Sequence, residues 1–540
     1  MRAGLPDTPT IPDFLAKTLP KGSAVGIDPF VHSIDSAKAL RKALEEVGCS
    51  LVGLEVPNPV DVVWGEERPA QPNGAVWLHG VRFAGETAQE KIGKLREQMK
   101  EKGCDHVLFS MLDEVCWLFN IRGDDIPHCP VVMSYALVSK EEARLYVDKE
   151  KLGEFVEEAL VKEGVTVLPY EQVLGDVGGI AARESEKIWL DPSSTSQALS
   201  DAAAEAGVRE TTPVQMAKAC KNEAELRGMR EAHLKDGVAL SSFLCWVENY
   251  VSSGENTISE VDAAAKLREF RAAQEGFLAT SFGTIAGSGP NGAIIHYSPT
   301  PGECGYISNK DVLLLDSGGQ YEDGTTDVTR TMHLGGSATE HEKECYTRVL
   351  QGHIAIDNAV FPEDTTGLML DSLARMPLWS IGLDYRHGTG HGVGACLNVH
   401  EGPQSISPRL GSNRAGLKAG MILSNEPGYY EDGNFGVRIE NLLIVVKKNT
   451  AHEFGGKDFL GFERLTHAPM DTRMIMTNLL SDSEVRWVNT YHEDVWQKLS
   501  PRMEDGQYKE WLWEKTRPLP EWSSSNPATS RQSSVTRAGV

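Results

Sequence analysis

The chain has no cysteine pattern that could organise it. Its nine cysteines (Cys49, Cys104, Cys116, Cys129, Cys220, Cys245, Cys304, Cys345 and Cys396) are scattered, odd in number and never spaced as CxxC. Both a disulfide framework and a zinc ribbon are thereby excluded. Positive charge is also short, with 53 lysines and arginines against 77 acidic residues and a net charge of −24. Such a balance argues against non-specific binding to nucleic acid or to an anionic membrane. Long apolar runs are missing too: Leu442-Leu443-Ile444-Val445-Val446 is far short of the roughly 20 residues a membrane-spanning helix needs. The first residues, Met1 to Asp7, lack the apolar core of a secretory signal, so the cytoplasm is the expected compartment. No repeat of solenoid type is found.

What is present is ordinary globular composition over 540 residues, 40% hydrophobic and 24% charged, which predicts several folded domains. Ala24 to Ile27, Ala37 to Val47 and Ser50 to Val56 read as strand, helix and strand, a unit too small to bury both faces of its sheet. Between Val56 and Trp77, Pro57, Pro59, Pro69, Pro72 and Asn73-Gly74 mark a linker. From Val76 to about Glu210, helical stretches alternate with apolar runs, the pattern of an α/β domain. Asn222 with Glu225, and Ser259 with Asp262, predict two helix starts. After Phe277 short glycine-rich strands are expected at Ala293 to Tyr297, Asp311 to Asp316, Thr326 to Leu334, Met421 to Asn425 and Val437 to Val446, suggesting a curved sheet with helices on one side. The serine-rich tail from Pro518 is expected to be disordered.

The chemistry concentrates in this last region. Asp316 ends the apolar strand Leu313-Leu314-Leu315, where a carboxylate is costly without a partner or a metal. A hairpin turn near Asp323-Gly324 would bring Asp316 and Asp327 onto neighbouring strands, with Asp327, Thr329 and Thr331 on one face and Val328 and Met332 on the other. The segment His387-Gly388-Thr389-Gly390-His391-Gly392-Val393-Gly394 spaces two histidines at i and i+4, but its four glycines oppose a helix. Extended, it points His387, Thr389, His391 and Val393 to one side and lets another backbone approach the glycine side. Glu426 ends an apolar strand in Ser424-Asn425-Glu426-Pro427, and Glu440 shares a strand face with Arg438. Taken singly, Glu440 suits a salt bridge to Arg438; together, three acid-bearing segments and a histidine run favour a metal site of hard oxygens and imidazole, fitted to Mn²⁺, Co²⁺, Fe²⁺ or Zn²⁺.

These motifs, with Asn291-Gly292-Ala293-Ile294-Ile295-His296-Tyr297, Val399-His400-Glu401-Gly402-Pro403 and Leu112-Asp113-Glu114-Val115-Cys116-Trp117-Leu118-Phe119-Asn120-Ile121-Arg122-Gly123, make the chain resemble the multi-domain cytosolic Xaa-Pro aminopeptidases, the aminopeptidase P family. The resemblance implies an α+β pita-bread catalytic domain with a curved antiparallel sheet at 211–505. Ahead of it would stand α/β domains of the ribonuclease-H or creatinase-N type, a C-terminal fragment of the first at 1–65 and the second at 76–210, and the tail at 518–540 would be disordered. Roughly the first half of the first domain is expected to be absent, including a strand whose arginine reaches towards bound peptide.

The resemblance further implies two divalent ions, Mn²⁺ foremost with Zn²⁺ or Co²⁺ as alternatives, held by Asp316, Asp327, His391, Glu426 and Glu440. His296, His387, His400 and Glu426 would act in catalysis, and His296, His391, His400 and Arg438 would bind substrate. The implied reaction releases the N-terminal residue from peptides with proline at position 2. A homodimer is the expected assembly, with no nucleic-acid or membrane partner. The competing readings are a prolidase-type Xaa-Pro dipeptidase, a non-catalytic pita-bread interaction protein, and an impaired shortened isoform.

Overall fold

A computed structural model describes residues 8–54, 58–183, 185–412 and 415–520. The expectations for residues 1–7 and for the tail beyond 520 lie outside the described residues. The chain divides into two compact units, Met1–Lys218 and Ala219–Val540. Among the described residues no helix is long and apolar enough to cross a membrane.

In the first unit, strands Ala24–Ile27 and Ser50–Gly53 pair in parallel around helix Ile34–Glu46, whose Ala37, Leu40 and Leu44 form a small core with Ile27 and Cys49. The proline-rich linker is not fully irregular: Pro59–Trp64 makes a short helix, with Asn58 capping it and Pro59 at a position where a missing N–H costs nothing. A six-stranded mixed sheet follows, in the order Gly207–Arg209, Ile188–Leu190, His106–Phe109, Ser134–Ser139, Ala143–Val147, Val165–Leu168.

The second unit carries the elements that matter for function. They are, in chain order, α1 (Glu223–Val251), α2 (Glu260–Ala272), β1 (Ile285–Ser288), β2 (Val312–Ser317), β3 (Val328–His333), α3 (Glu340–Asp357), α4 (Gly367–Trp379), β4 (Gly390–Gly392), β5 (Glu401–Ile406), β6 (Ile422–Asn425), β7 (Phe435–Arg438), β8 (Asn441–Lys448), β9 (Phe459–Arg464) and α5 (Asp482–Leu499). Helix α1 starts where the sequence signals it, with Asn222 and Glu225 forming a reciprocal capping box, and α2 starts at Ser259, which accepts from the Asp262 amide. Strands β1, β2 and β3 form one antiparallel sheet. The second antiparallel sheet runs from the short strand Phe361–Pro362 through β9, β8, β6 and β4 to β5. One face of the β1–β3 sheet is dry: Leu313, Leu315, Val328 and Met332 pack with Leu240, Phe243, Leu244 and Tyr346 of the flanking helices.

Three local expectations change. Residues 293–297 are not a strand: Ala293 ends the 3-10 helix Gly289–Ala293, and a turn follows it. Gly289 at φ +52° and Pro290 bend the chain before a strand can form. The stretch 437–446 is two strands, β7 and β8, with Ile439 and Glu440 in the break between them. In the hairpin, Asp316 stands opposite Thr329, so Asp327 falls one residue ahead of β3 rather than in direct register. The chain turns at Glu322 and Asp323, where Tyr321 pairs with Gly324.

Glycine has a steric task at Gly390, where a Cβ would stand 1.9 Å from the Ser424 carbonyl oxygen. The close approach of β4 to β6 lets the His391 amide donate to Ser424 Oγ at 2.9 Å. Gly390→Ala must push these strands apart, and the expected cost of about 2 kcal/mol should lower the thermal unfolding midpoint of this unit by roughly 5 °C. An unchanged midpoint would contradict the close approach.

Candidate active site

A cavity of about 470 Å³ opens in the second unit, and its walls include Asp316, Asp327, Glu426, Glu440, His296, His387, His391, His400 and Arg438. Every residue singled out in the sequence for catalysis, substrate or metal thus faces one space, although they come from strand ends, loops and the break between β7 and β8.

The acids are held from behind. Thr329 Oγ donates to Glu440 Oε2 at 2.7 Å, and Thr331 Oγ donates to the Arg438 carbonyl at 2.8 Å, so the polar face of β3 grips the β7–β8 break. Arg438 Nη2 donates to Asp316 Oδ2 at 2.6 Å, while Nη1 donates to Tyr430 Oη at 2.7 Å. The other oxygen of Asp316, Oδ1, is buried and has no hydrogen-bond partner among the described residues. Ser424 Oγ donates to Glu426 Oε1 at 3.1 Å. Beneath this layer the buried Arg330 guanidinium donates to the Glu440 carbonyl and to Asn441 Oδ1, and His353 of α3 joins Asn425 to Asn441, donating from Nδ1 to the Asn425 carbonyl and accepting at Nε2.

The two histidines of the glycine-rich run do different things. His391 Nδ1 lies 2.9 Å from the Gly392 carbonyl, to which it donates, and this bond aims Nε2 at Asp327 Oδ2 and Glu426 Oε1, each at 3.4 Å. His387 is engaged at both nitrogens, Nδ1 with the Gly388 carbonyl at 2.7 Å and Nε2 with Tyr430 Oη at 2.8 Å. It therefore orients Tyr430 and Arg438 and presents no free N–H to the cavity. Thr389 does not share their space as strict alternation expects. It is fully buried, donates to Asp371 Oδ1 of α4 and touches Tyr385 Oη. Arg375, paired to Asp371, donates to the His387 carbonyl, so α4 sets the path of this segment, which is a regular strand only at Gly390–Gly392.

The electrostatics are those of crowded acids. Burial pushes Asp316 up to about 6, with Arg438 opposing and Asp327 adding to the rise. Burial likewise raises Glu426 to about 7 against the pull of His391 and Arg438. Glu440 is raised well above the usual carboxylate range by burial and then by Asp327, Glu426 and Asp316. Burial opposes charge on His391, but the hydrogen bond and charge of Asp327 and the charge of Glu426 outweigh it and lift the imidazole to about 9. His400, its ring centroid 4.2 Å from that of His391, is lowered to about 4 by the His391 charge and by burial. His387 falls to about 3 and His296 is lowered, in both cases by burial first and Arg438 second.

One atom each from Asp327, His391 and Glu440 lie within 4.8 Å of one another, a grouping fit to hold a cation. With the unpartnered Asp316 oxygen and the adjoining Glu426, the donor set is hard oxygen plus one imidazole, which suits Mn²⁺, Co²⁺ or Zn²⁺. A cation here would pull the raised carboxylates back down by favouring their charged forms.

Sequence reasoning missed the supporting residues. Tyr430 lies two and four positions beyond Gly428 and Glu426, so the strand period could have placed it on the same face. Asp371, Arg375 and His353 sit on helices with no local signal. Phe282, Ile285, Ile295 and Val399, the apolar part of the cavity wall, are also visible only in the fold.

Comparison with known proteins agrees with this architecture. The family model of the Creatinase/Prolidase N-terminal domain matches residues 67–225, that of metallopeptidase family M24 matches 227–447, and that of the C-terminal region of peptidase M24 matches 458–519. Aminopeptidase P2 of Arabidopsis thaliana is 47% identical over 96% of this chain and 77% of its own length. A probable Xaa-Pro aminopeptidase P of Aspergillus niger is 44% identical over 96% of this chain and 86% of its own. Among solved structures, the X-prolyl aminopeptidase of Caenorhabditis elegans, a cytosolic enzyme with a di-nuclear active site, superposes with a TM-score of 0.91 at 36% identity, covering 96% of this chain and 85% of that one. The prolidase of Pyrococcus horikoshii reaches a TM-score of 0.54 at 26% identity and covers 71% of this chain and 99% of its own. Fold, cavity chemistry and relatives converge, and the chain belongs to metallopeptidase family M24, on its Xaa-Pro aminopeptidase P side.

Proposed function

We propose that this chain is a metal-dependent aminopeptidase that releases the first residue from peptides whose second residue is proline. The observation that carries this reading is the convergence of Asp316, Asp327, Glu426 and Glu440 with His391 on one buried cavity. Such a set of acids is unfavourable unless cations neutralise it. In this reading the five residues hold two divalent ions, Mn²⁺ foremost, with Zn²⁺ or Co²⁺ as alternatives. Divalent ions at such a site supply Lewis acidity, lowering the pKa of coordinated water and polarising a carbonyl.

The chain's own residues do the rest. His391 keeps Nε2 aimed at Asp327 and Glu426 because Nδ1 is held by the Gly392 carbonyl. His296 and His400 line the cavity and are neutral at pH 7, so each can offer an N–H to the oxygen that gains charge as the scissile carbonyl becomes tetrahedral. Glu426 accepts a proton from the attacking water and returns it to the departing prolyl nitrogen. Arg438 holds Asp316 and Tyr430 in place on one wall, and Phe282, Ile285, Ile295 and Val399 give the ring of proline an apolar surface. Extension of the likeness to the Caenorhabditis enzyme across 96% of this chain supports the aminopeptidase reading over the dipeptidase one. The cytoplasm and a homodimer complete the reading.

Two measurements test it. With Mn²⁺ added after chelation, an Xaa-Pro-Xaa tripeptide should be cleaved to a free amino acid and a Pro-Xaa dipeptide, with Xaa-Ala-Xaa and an Xaa-Pro dipeptide at least tenfold slower in kcat/KM, about 1.4 kcal/mol of discrimination. Cleavage of the dipeptide alone would indicate a prolidase, and no metal-dependent cleavage would refute the enzyme. Separately, Glu440→Gln removes a carboxyl that burial and its acidic neighbours make costly to ionise, and in chelator it should unfold at or above the wild-type temperature, a gain of up to about 1 kcal/mol. With Mn²⁺ the order should reverse, because binding stabilises only the chain that holds the ion. A chelated variant less stable than wild type would contradict the repulsion.

A further inference from the structure

His296 is asked to meet the scissile carbonyl, yet no strand or helix carries it. It follows the 3-10 helix Gly289–Ala293 in a loop that runs to the two-residue strand Tyr306–Ile307, and among the described residues its imidazole makes no hydrogen bond. Its position follows that of the loop, and one buried side chain ties the two ends of the loop together.

Glu260, the first residue of α2, is fully buried. Its Oε1 accepts from the Ser288 amide at 2.8 Å and from Asn291 Nδ2 at 3.1 Å. Its Oε2 accepts from Asn291 Nδ2 at 3.0 Å, Tyr297 Oη at 2.7 Å and the Gly305 amide at 2.6 Å. The Glu260 amide in turn donates to the Gly305 carbonyl at 3.1 Å. These partners bracket the loop: Ser288 closes β1, Tyr297 adjoins His296, and Gly305 precedes the closing strand. Glu260 makes no ion pair among the described residues, so neutral donors and the N-terminus of α2 alone compensate a buried charge. A Cβ at Gly305 would crowd this cluster, standing 2.9 Å from Asn291 Nδ2 and 3.2 Å from Glu260 Oε1.

We propose that Glu260 is a positioning residue of the peptidase reaction, fixing through Ser288, Asn291, Tyr297 and Gly305 where His296 stands against the carbonyl of the bound peptide. The inference rests on the aminopeptidase reading above. Glu260 lines no part of the cavity and belongs to none of the proposed metal ligands, so its loss acts on His296 and leaves the metals in place.

The test compares the Mn²⁺-loaded full chain with Glu260→Gln, Tyr297→Phe, His296→Ala and the double variant Glu260→Gln/His296→Ala, using an Xaa-Pro-Xaa tripeptide. Glu260→Gln should lower kcat about a hundredfold with KM changed much less, the scale of a misplaced catalytic group, and should keep the wild-type metal content. Tyr297→Phe, which deletes one donor and spares the fold, should lose roughly tenfold in the same parameter. The double variant should be no slower than His296→Ala alone, because the two residues act in one unit. Multiplicative losses in the double variant, full activity in Tyr297→Phe, or loss of metal from Glu260→Gln would each make Glu260 a fold residue only. If wild type shows no turnover, the aminopeptidase reading fails by itself, and hydrogen exchange then tests the loop. The Ser288 and Gly305 amides should exchange at least tenfold faster in Glu260→Gln while those of β2 stay protected, and unchanged exchange would overturn the inference.

Discussion

Asp316, Asp327, Glu426 and Glu440 stand together on one cavity, and their burial and mutual repulsion are the condition that the surrounding structure is built to withstand. Left to themselves, buried acids at this spacing would take up protons or open the site to solvent. Arg438 offsets part of the charge by pairing with Asp316, and His391 offsets another part between Asp327 and Glu426. The remainder is unbalanced, and one Asp316 oxygen has no partner among the described residues. A protein that holds such a set in place gains by binding cations, so the fold and the proposed chemistry share one cause.

Holding the acids requires strength elsewhere. The dry face of β2 and β3 supplies it through Leu313, Leu315, Val328 and Met332, while the opposite face of β3 presents Thr329 and Thr331 as hydrogen-bond donors to the β7–β8 break. Arg330 and His353 form a second polar layer that reaches the backbone of Glu440 and of Asn425 beside Glu426. His353 is kept neutral by burial, lowered to about 3, which suits a ring that donates on one nitrogen and accepts on the other. The same economy appears at the glycine-rich run, where absent side chains let β4 lie against β6 and Arg375 of α4 ties down the path of His387.

Much of this was legible in the sequence because the chemistry is carried by local patterns. An acid closing an apolar strand, two helix caps, and histidines alternating with glycines are each readable from a few residues, and they led to the five acid and imidazole positions. The failures have a common origin. Residues 293–297 look like a strand, but the anchoring of that loop depends on Glu260, some thirty positions upstream. Parity places Thr389 beside the two histidines, but Asp371 on a helix draws it away. His387 lines the cavity as expected, but that its nitrogens meet Gly388 and Tyr430 is visible only in the fold. Long-range partners decide such details, and no window of sequence contains both ends of the contact.

If the four acids and His391 are held together for cations, two ions should occupy the cavity. The most direct measurement is anomalous diffraction at the manganese edge from crystals of the full chain soaked in Mn²⁺. Two peaks are expected among Asp316, Asp327, His391, Glu426 and Glu440, about 3.5–4 Å apart as in other two-metal hydrolytic sites. No peak in the cavity, or a lone peak held by other residues, would contradict it.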